Sequence, residues 1–322
     1  MVRFFKLFSF VGLLCLLSGW GFFAHRKINR LAVFTLPVTM LPFYKHHISY
    51  LEEAAVNPDR RRYADPEEGP RHYIDLDAYG DSARTLPLMW SAAVAKVGED
   101  SLVARGTLPW HMQSVYFQLR DAFMLQDPER VLRLSAELGH YVADAHVPLH
   151  TTSNYDGQKT GQIGIHGLWE SRLPELFFAD YEFLVGRATY LDNVPKAVWQ
   201  MVLHSNQLVD SVLREEQKLA AKYGGQKFSF ETKGKQTVKV FSAAYSRDYH
   251  RALQGMVEAQ MRASVKALGD LWYTAWVDAG QPDLAGWQTY RPTEQELLKR
   301  KEELAQWRKA QTKGRPHETE PD

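Results

Sequence analysis

The sequence has almost no cysteine. Its one cysteine among 322 residues, Cys15, lies inside an apolar N-terminal segment. A mature chain that had lost this segment would contain no cysteine and therefore no disulfide. In an oxidising compartment, the stability of such a chain has to come from side-chain packing or from bound metal.

The sequence also lacks an excess of charge of either sign. Lys and Arg number 39, Asp and Glu number 38, and 45% of the residues are apolar. Removal of residues 1–19 takes away Arg3 and Lys6, which leaves 37 basic side chains (39 less two) against 38 acidic ones. No global field therefore favours polyanions. The apolar content is enough for a substantial core, in one large domain or two small ones.

The N-terminus has the pattern of an export signal. Two basic residues precede an apolar run over 7–17, and two small residues follow it. We expect residues 1–19 to be a signal peptide that is cleaved before Trp20, which gives a periplasmic or secreted protein. The alternative is an uncleaved membrane anchor, because apolar residues continue to Ala24 and lengthen the stretch.

Most of the chain has the apolar periodicity of helices. Apolar side chains recur every three to four residues over 26–36, 45–56, 88–105, 110–125, 128–145, 168–185, 194–222 and 243–279. This spacing predicts an all-α, multi-helix single domain over residues 20–282. Polar and apolar residues alternate over 224–242, which indicates a short hairpin or an irregular excursion. The charged extension 283–322 predicts a solvated helix and then a disordered tail.

Potential metal ligands concentrate in one stretch of the chain. His140 and Asp144 are four residues apart, as are His166 and Glu170, and His150 lies between the two pairs. On a helix this spacing places both side chains of a pair on one face, within reach of a single ion. Zinc suits imidazole and carboxylate ligands, and pairs of metal ions commonly hydrolyse phosphate esters.

Each pair taken alone has a simpler interpretation, which is an ordinary hydrogen bond on a helix surface. Histidine and acidic residues often fall at this spacing by chance. Two pairs together with His150 favour metal binding instead. We expect His146, two residues after Asp144, to point away from the ligand face and to have a structural role.

These motifs resemble the metal-binding core of the zinc-dependent phospholipase C and fungal-type single-strand-specific zinc nuclease superfamily. The resemblance covers most of residues 20–282 and is carried by His140-x-x-x-Asp144, Pro148-Leu149-His150 and His166-x-x-x-Glu170. It implies a mostly helical domain around three zinc ions, one of them bound by the amino and carbonyl groups of an N-terminal tryptophan. Signal cleavage before Trp20 would create that group. His25 then follows at the short spacing of the nuclease branch.

The resemblance also implies an aspartate and a histidine upstream. His72 begins a His-aromatic-x-Asp segment similar to that of the family, and Asp59 lies 13 residues before it. Asp65, seven residues before His72, is the alternative ligand, and a role in the turn after Pro58 is the alternative for Asp59. The implied ligand sets are Asp59, His72, His140 and Asp144 for the first zinc, His150, His166 and Glu170 for the second, and Trp20, His25 and Asp144 for the third.

Asp59 is the candidate catalytic residue, because a carboxylate at the edge of a metal site can orient or deprotonate an attacking water. The expected activity is hydrolysis of a phosphate ester, either a phospholipid headgroup or single-stranded nucleic acid. Glu170 resembles the phospholipase branch, whereas the spacing from Trp20 to His25 resembles the nucleases. The other hypotheses are an exported protein that zinc only stabilises and a membrane-anchored helical module without metal. No protein partner is inferred.

Substrate contacts are less strongly indicated by the sequence. The basic triplet 60–62 beside Asp59 has two interpretations, a phosphate contact or a solvated face. Aromatic residues near the motifs could stack on bases, bind a quaternary ammonium headgroup or belong to the core, and these residues are Tyr63, Tyr73, Trp110 and Tyr155.

Overall fold

The computed structural model describes residues 22–233 and 236–310. In this part of the chain the helices are α1 (Phe22–Ala32), α2 (Leu41–His46), α3 (Ile48–Ala54), α4 (Asn57–Arg61), α5 (Trp90–Val97), α6 (Glu99–Ala104), α7 (Leu108–Met124), α8 (Pro128–Ala145), α9 (Leu173–Phe177), α10 (Val194–Tyr223), α11 (Ala243–Ala252), α12 (Met256–Asp278) and α13 (Glu294–Lys309). Strands β1 (Phe228–Lys233) and β2 (Gln236–Phe241) form one two-stranded sheet. The all-α prediction is confirmed.

Several predictions at the two ends of the chain lie outside the described residues. These are the signal peptide over 1–19, the ligand Trp20 and the disordered tail beyond residue 310. Between residues 22 and 310, leaving out 234 and 235, no helix combines the length and the apolarity needed to cross a bilayer.

Helix α8 lies at the centre of the fold, in contact with α1, α3, α7 and α12. Trp272 of α12 is fully buried against it and donates a hydrogen bond from Nε1 to the backbone oxygen of Ser135, at 3.1 Å. The ring of Tyr44 lies 4.9 Å from the Trp272 ring, and its hydroxyl is 2.9 Å from Oγ of Ser135. Burial of such large rings supplies much of the hydrophobic stabilisation of the core.

Two helices have well-formed N-terminal caps. At the start of α8, the carboxylate of Asp127 accepts a hydrogen bond from the backbone nitrogen of Arg130 at 3.0 Å, and Pro128 occupies the first turn. At the start of α13, Thr293 and Glu296 form a reciprocal capping box. Both arrangements satisfy backbone N–H groups that a helix N-terminus leaves unpaired.

Other predicted helices are interrupted. Segment 88–105 divides into α5 and α6 at Gly98, whose φ of 87° is incompatible with a continuous helix. Segment 243–279 divides into α11 and α12 because Gln254 and Gly255 also have positive φ, of 51° and 80°. A residue in the left-handed region ends a helix, and glycine adopts it at least cost.

The prediction of one helix over 168–185 is wrong beyond residue 180. A π-helical turn at Gly167–Arg172 is followed by α9 and a 3₁₀ turn, and 181–191 is not helical. The backbone there bonds to other elements instead, since Thr189 N donates to Asp270 Oδ1 at 2.6 Å. Segment 45–56 also divides, at His47, into the end of α2 and α3.

The hairpin prediction for 224–242 is confirmed, with β1 and β2 paired antiparallel. The C-terminal extension packs on the domain: the Trp287 ring lies 5.5 Å from that of Phe43, and Arg300 forms an ion pair with Glu129 at the start of α8. Helix α13 has no buried residue, in agreement with the solvated helix that the sequence predicts.

Candidate metal centre

The close approach of α1 and α8 brings two candidate ligands together. A Cβ atom at Gly139 of α8 would lie 1.7 Å from Oδ1 of Asn29 on α1, so only glycine fits there. Asn29 Nδ2 donates hydrogen bonds to the backbone oxygens of Leu51 and Ala136, at 3.1 and 3.0 Å. At this crossing the rings of His25 and His140 stack, with centroids 4.2 Å apart.

Four side chains converge in site A, which consists of Asp59, His72, His140 and Asp144. Nδ1 of His72 and Nε2 of His140 lie 3.0 Å apart, and Asp144 Oδ2 is 3.0 Å from the first and 3.3 Å from the second. Asp59 Oδ1 is 3.8 Å from both nitrogens. The structure therefore brings together the predicted first ligand set, which comes from α4, the 3₁₀ turn at Gly69–His72 and α8.

Site B consists of His150, His166 and Glu170. The Nε2 atoms of the two histidines lie 3.1 Å apart, and Glu170 Oε2 is 2.7 Å from His166 Nε2 and 3.4 Å from His150 Nε2. Glu170 lies in the π-helical turn at Gly167–Arg172, a rare distortion that is frequent at functional sites. This is the predicted second ligand set.

Site C joins the other two. The atoms of His25, His140 and Asp144 form a third group able to hold a metal ion. His25 Nε2 lies 3.5 Å from Asp144 Oδ1 and 3.1 Å from Glu170 Oε1. Asp144 thus presents Oδ2 to site A and Oδ1 to site C, as a bridging ligand does. Of the predicted third set, His25 and Asp144 are close together, and Trp20 lies outside the described residues.

Backbone carbonyls determine which ring nitrogens face these sites. His140 Nδ1 is 2.9 Å from the backbone oxygen of Ala55, and His150 Nδ1 is 2.6 Å from that of His72. A carbonyl oxygen only accepts hydrogen bonds, so both Nδ1 atoms carry the proton. Each Nε2 then presents a lone pair to its site, which is the arrangement of a metal-bound histidine.

Electrostatics in this region favour positive charge. Burial raises the pKa of Asp144, but the neighbouring imidazoles of His140 and His150 outweigh this effect and hold the pKa well below its usual range. The pKa of Glu170 is also well below its usual range, because its close contacts with His150 and His166 outweigh the effect of burial. Burial lowers the pKa of His25, but its hydrogen bond with Glu170 and the charge of Asp144 raise it to about 9. A divalent cation would neutralise these buried carboxylates.

The distances between the ligand atoms are those of groups that can hold a metal ion, and zinc serves as the reference. A tetrahedral ion with ligands at about 2.0–2.1 Å separates its ligand atoms by about 3.3–3.4 Å. The pairs in site A span 3.0–3.8 Å, and those in site B span 2.7–3.4 Å. In each site two histidine nitrogens and a carboxylate oxygen lie near 3 Å from one another. The available protons cannot make all three of these contacts hydrogen bonds, whereas all three atoms can bind one ion.

Glu68 is a residue of this centre that sequence reasoning missed. Its Oε1 lies 3.4 Å from His72 Nε2, on the side of the ring away from site A, and it accepts a hydrogen bond from the hydroxyl of Tyr141. Its Oε2 accepts hydrogen bonds from Arg61 at 2.8 Å and Arg71 at 2.9 Å. Such a carboxylate orients a ligating histidine. The spacing Glu68-x-x-x-His72 was the available signal.

The remaining predicted residues have other surroundings. Asp65 Oδ2 is 3.4 Å from Arg71 and belongs to none of the three sites. His146 is buried, donates from Nδ1 to the backbone oxygen of Val142 at 2.7 Å, and lines a cavity of about 20 Å³ behind His25. Trp110 is core, since it is 4% exposed and packs against other tryptophans.

The comparisons with known proteins do not assign a family. No family model matches this chain, and no curated protein matches it significantly. The resemblance to the zinc phospholipases and nucleases therefore rests on the motifs, and the structure adds three buried groups of side chains that could hold metal ions.

Proposed function

We propose that this protein is an exported zinc-dependent phosphodiesterase that hydrolyses P–O ester bonds, with three zinc ions held at sites A, B and C. The observation that carries the proposal is the sharing of Asp144. Its two oxygens face different sites, at 3.0 Å from His72 Nδ1 and 3.5 Å from His25 Nε2. A shared carboxylate holds neighbouring ions at the short separation that phosphate-ester hydrolysis uses.

Bound zinc supplies positive charge to the phosphate oxygens and lowers the pKa of water at the site. The side chains of the chain hold and orient the reactants. Asp59 is the most exposed member of site A, at 13% against 0–3% for His72, His140 and Asp144. Its carboxylate is therefore the one that reaches an attacking water, and it accepts the proton of that water as phosphorus is attacked.

A phospholipase C-like activity is the first candidate, because Glu170 stands where that branch of the superfamily has Glu. Single-strand-specific nuclease activity at the same centre is the second. It is favoured by the short spacing from Trp20 to His25 and by Arg60, whose side chain lies beside Asp59 on α4 without an ion pair among the described residues. The shared reaction is attack of water on phosphorus.

The test uses protein that begins at Trp20, is loaded with zinc and is assayed with and without chelator. Chelator-sensitive release of phosphocholine from phosphatidylcholine vesicles supports the phospholipase, and chelator-sensitive release of nucleotides from single-stranded DNA or RNA supports the nuclease. Zinc-loaded protein that releases neither contradicts both activities and favours a protein that zinc only stabilises.

A pair of variants tests the role of Asp59. Asp59→Asn should lower turnover by about 10²–10⁴-fold, the usual contribution of a general base. Asp65→Asn is the matched control, because Asp65 is also close upstream of His72 but contacts Arg71 instead of a histidine. Equal losses in the two variants would contradict the assignment.

A further inference from the structure

Arg60 of α4 packs against α1 and directly follows Asp59 of site A. Its guanidinium carbon is 5.7 Å from the centre of the Phe22 ring, and its Nη1 donates to Asn57 Oδ1 at 3.1 Å. Phe22 lies four residues before Arg26 on α1, so the two side chains occupy the same helix face. Arg60 therefore faces the part of α1 from which Arg26 projects.

The C-terminal helix brings a third arginine close to Arg60. Helix α13 packs against α4, and the ring of Trp307 lies 5.9 Å from the guanidinium carbon of Arg61. Arg308 follows directly. Both Arg26 and Arg308 are close enough for their positive charges to act on Arg60. Arg26, Arg60 and Arg308 are called the arginine cluster below.

Within the part of the chain that the structure describes, the arginine cluster has no ion-pair partner. No carboxylate of residues 22–233 or 236–310 forms an ion pair with any of the three guanidiniums. The acidic groups acting on Arg60 are Asp59, which faces site A, and the exposed Glu53. Nε of Arg26 is buried and has no hydrogen-bond partner in the described part of the chain. Three guanidiniums that form no ion pair with the described carboxylates repel one another and present donors to an anion.

Two of the three arginines directly follow candidate metal ligands. Arg26 comes after His25, and Arg60 comes after Asp59. The carboxylate of Asp59 in site A is close enough for its charge to act on Arg60. An anion held at Arg60 would therefore lie near site A. Guanidinium groups match the geometry of phosphate, which they bind by paired hydrogen bonds.

We propose that the arginine cluster is an anion subsite that binds a second phosphate group of the substrate while the metal centre holds the scissile one. This inference rests on the proposed function and narrows its substrate class to molecules with two phosphates close together. An oligonucleotide has that chemistry, and so does a phospholipid whose headgroup carries an additional phosphate.

Kinetics of Arg308→Gln test the subsite, because Arg308 is exposed on the C-terminal helix and does not belong to the three metal groups. The substrates are thymidine 5′-(4-nitrophenyl phosphate) with and without a 3′-phosphate. A parallel lipid pair is phosphatidylinositol with and without a phosphate on its inositol ring. KM for the doubly phosphorylated member should rise by about fivefold at low salt, and kcat and the other member should stay unchanged.

Lys299→Gln is the matched control. Lys299 is exposed on the same helix, and nine residues from Arg308 it projects from the opposite side, because each residue turns a helix by about 100°. This variant should leave KM of both members unchanged. Equal effects of the two variants, or an equal effect of Arg308→Gln on both members of a pair, would overturn the proposal. The responding pair shows whether the second phosphate belongs to a nucleotide or a lipid.

A binding measurement separates the subsite from the catalytic proposal. Metal-free protein that begins at Trp20 is titrated calorimetrically with inorganic pyrophosphate. Without metal, the carboxylates of sites A, B and C repel anions, so binding reports on the arginine cluster. The wild type should bind pyrophosphate, and Arg60→Gln and Arg308→Gln should each weaken it by about fivefold. Binding without turnover of any substrate would contradict the enzyme but support the subsite. A wild type that does not bind, or variants that bind as the wild type does, would contradict the subsite.

Discussion

The most informative structural prediction concerns Gly139, which lets α1 and α8 touch beside the metal centre. In Gly139→Ala, the new Cβ would lie 1.7 Å from Asn29 Oδ1 and 2.8 Å from Leu268 Cδ2. Neither distance is tolerable for a carbon atom, so Asn29 or its helix has to move. Movement of α1 displaces His25, which stacks on His140 at 4.2 Å.

The expected cost follows from two terms. Overpacking of a core by one methyl group costs about 1–3 kcal/mol. Displacement of the Asn29 amide breaks its two buried hydrogen bonds, to Leu51 and Ala136, at about 1 kcal/mol each. The free energy of unfolding should therefore fall by about 3–5 kcal/mol, a large part of the about 5–15 kcal/mol that is typical of a folded domain.

Urea unfolding of the metal-free protein measures this change. Gly286→Ala is the matched control, because a Cβ there meets no atom within 4 Å, and it should cost less than about 1 kcal/mol. Asn29→Ala removes the clashing oxygen, so the double variant should be more stable than the sum of the single losses predicts, by about 1–2 kcal/mol. Equal stability of the two glycine variants would refute this reasoning. So would a double variant whose loss of stability equals the sum of the losses in Gly139→Ala and Asn29→Ala.

Three further variants have expected outcomes. Asp144→Asn should reduce the zinc bound per chain and abolish hydrolysis, because sites A and C both lose a charged ligand; elemental analysis measures the first. Glu68→Gln should weaken zinc binding by about 10–100-fold, because it removes the charge behind His72; competition with a chromophoric chelator measures it. The pKa of His111 is lowered to about 3 by burial and then by the charge of Arg71. As pH falls below about 6.5, the unfolded chain therefore takes up a proton at this histidine before the folded chain does, and at pH 5 this lowers the free energy of unfolding by about 2 kcal/mol. In His111→Gln the free energy of unfolding, measured with urea, should therefore fall less between pH 7 and pH 5 than it does in the wild type.

Each of the three variants can also give a result that contradicts its expected effect. Undiminished zinc content in Asp144→Asn would mean that its carboxylate does not bind metal. Glu67→Gln is the control for Glu68→Gln, since the Glu67 side chain is 82% exposed, and equal effects would exclude a specific role for Glu68. For His111→Gln, a pH dependence identical to that of the wild type would contradict the lowered pKa.

The fold was predictable where the signals are local. Helix α8 combines an Asp127–Pro128 start with sustained apolar periodicity, and the structure begins and ends it at the predicted residues. A solvated helix in the charged extension was also predicted, and α13 has that character. The break at Gln254 was not predictable, because a glutamine with φ of 51° has no sequence signature. The non-helical course after residue 180 depends on partners far along the chain, such as Asp270.

In the candidate site, too, the residues with local signals were predictable and those brought in by distant contacts were not. The pairs His140–Asp144 and His166–Glu170 follow from helical spacing alone. That Asp59 and His72 join the first pair was implied only by the resemblance, since they are 68 and more residues from His140. Glu68 was missed although its spacing to His72 is a local signal, because that spacing does not reveal its contacts with Tyr141 and Arg61. Of the arginine cluster, the sequence indicates only Arg60, because the packing of α13 on α4 joins distant parts of the chain.

The number of zinc ions per chain tests the central claim most directly. Protein that begins at Trp20 is saturated with zinc, dialysed against zinc-free buffer and analysed by mass spectrometry for metal content. We predict three zinc ions per chain, and two when an additional residue precedes Trp20 and blocks its amino group. One zinc or none in the protein that begins at Trp20 would contradict the trinuclear centre and the hydrolytic function built on it.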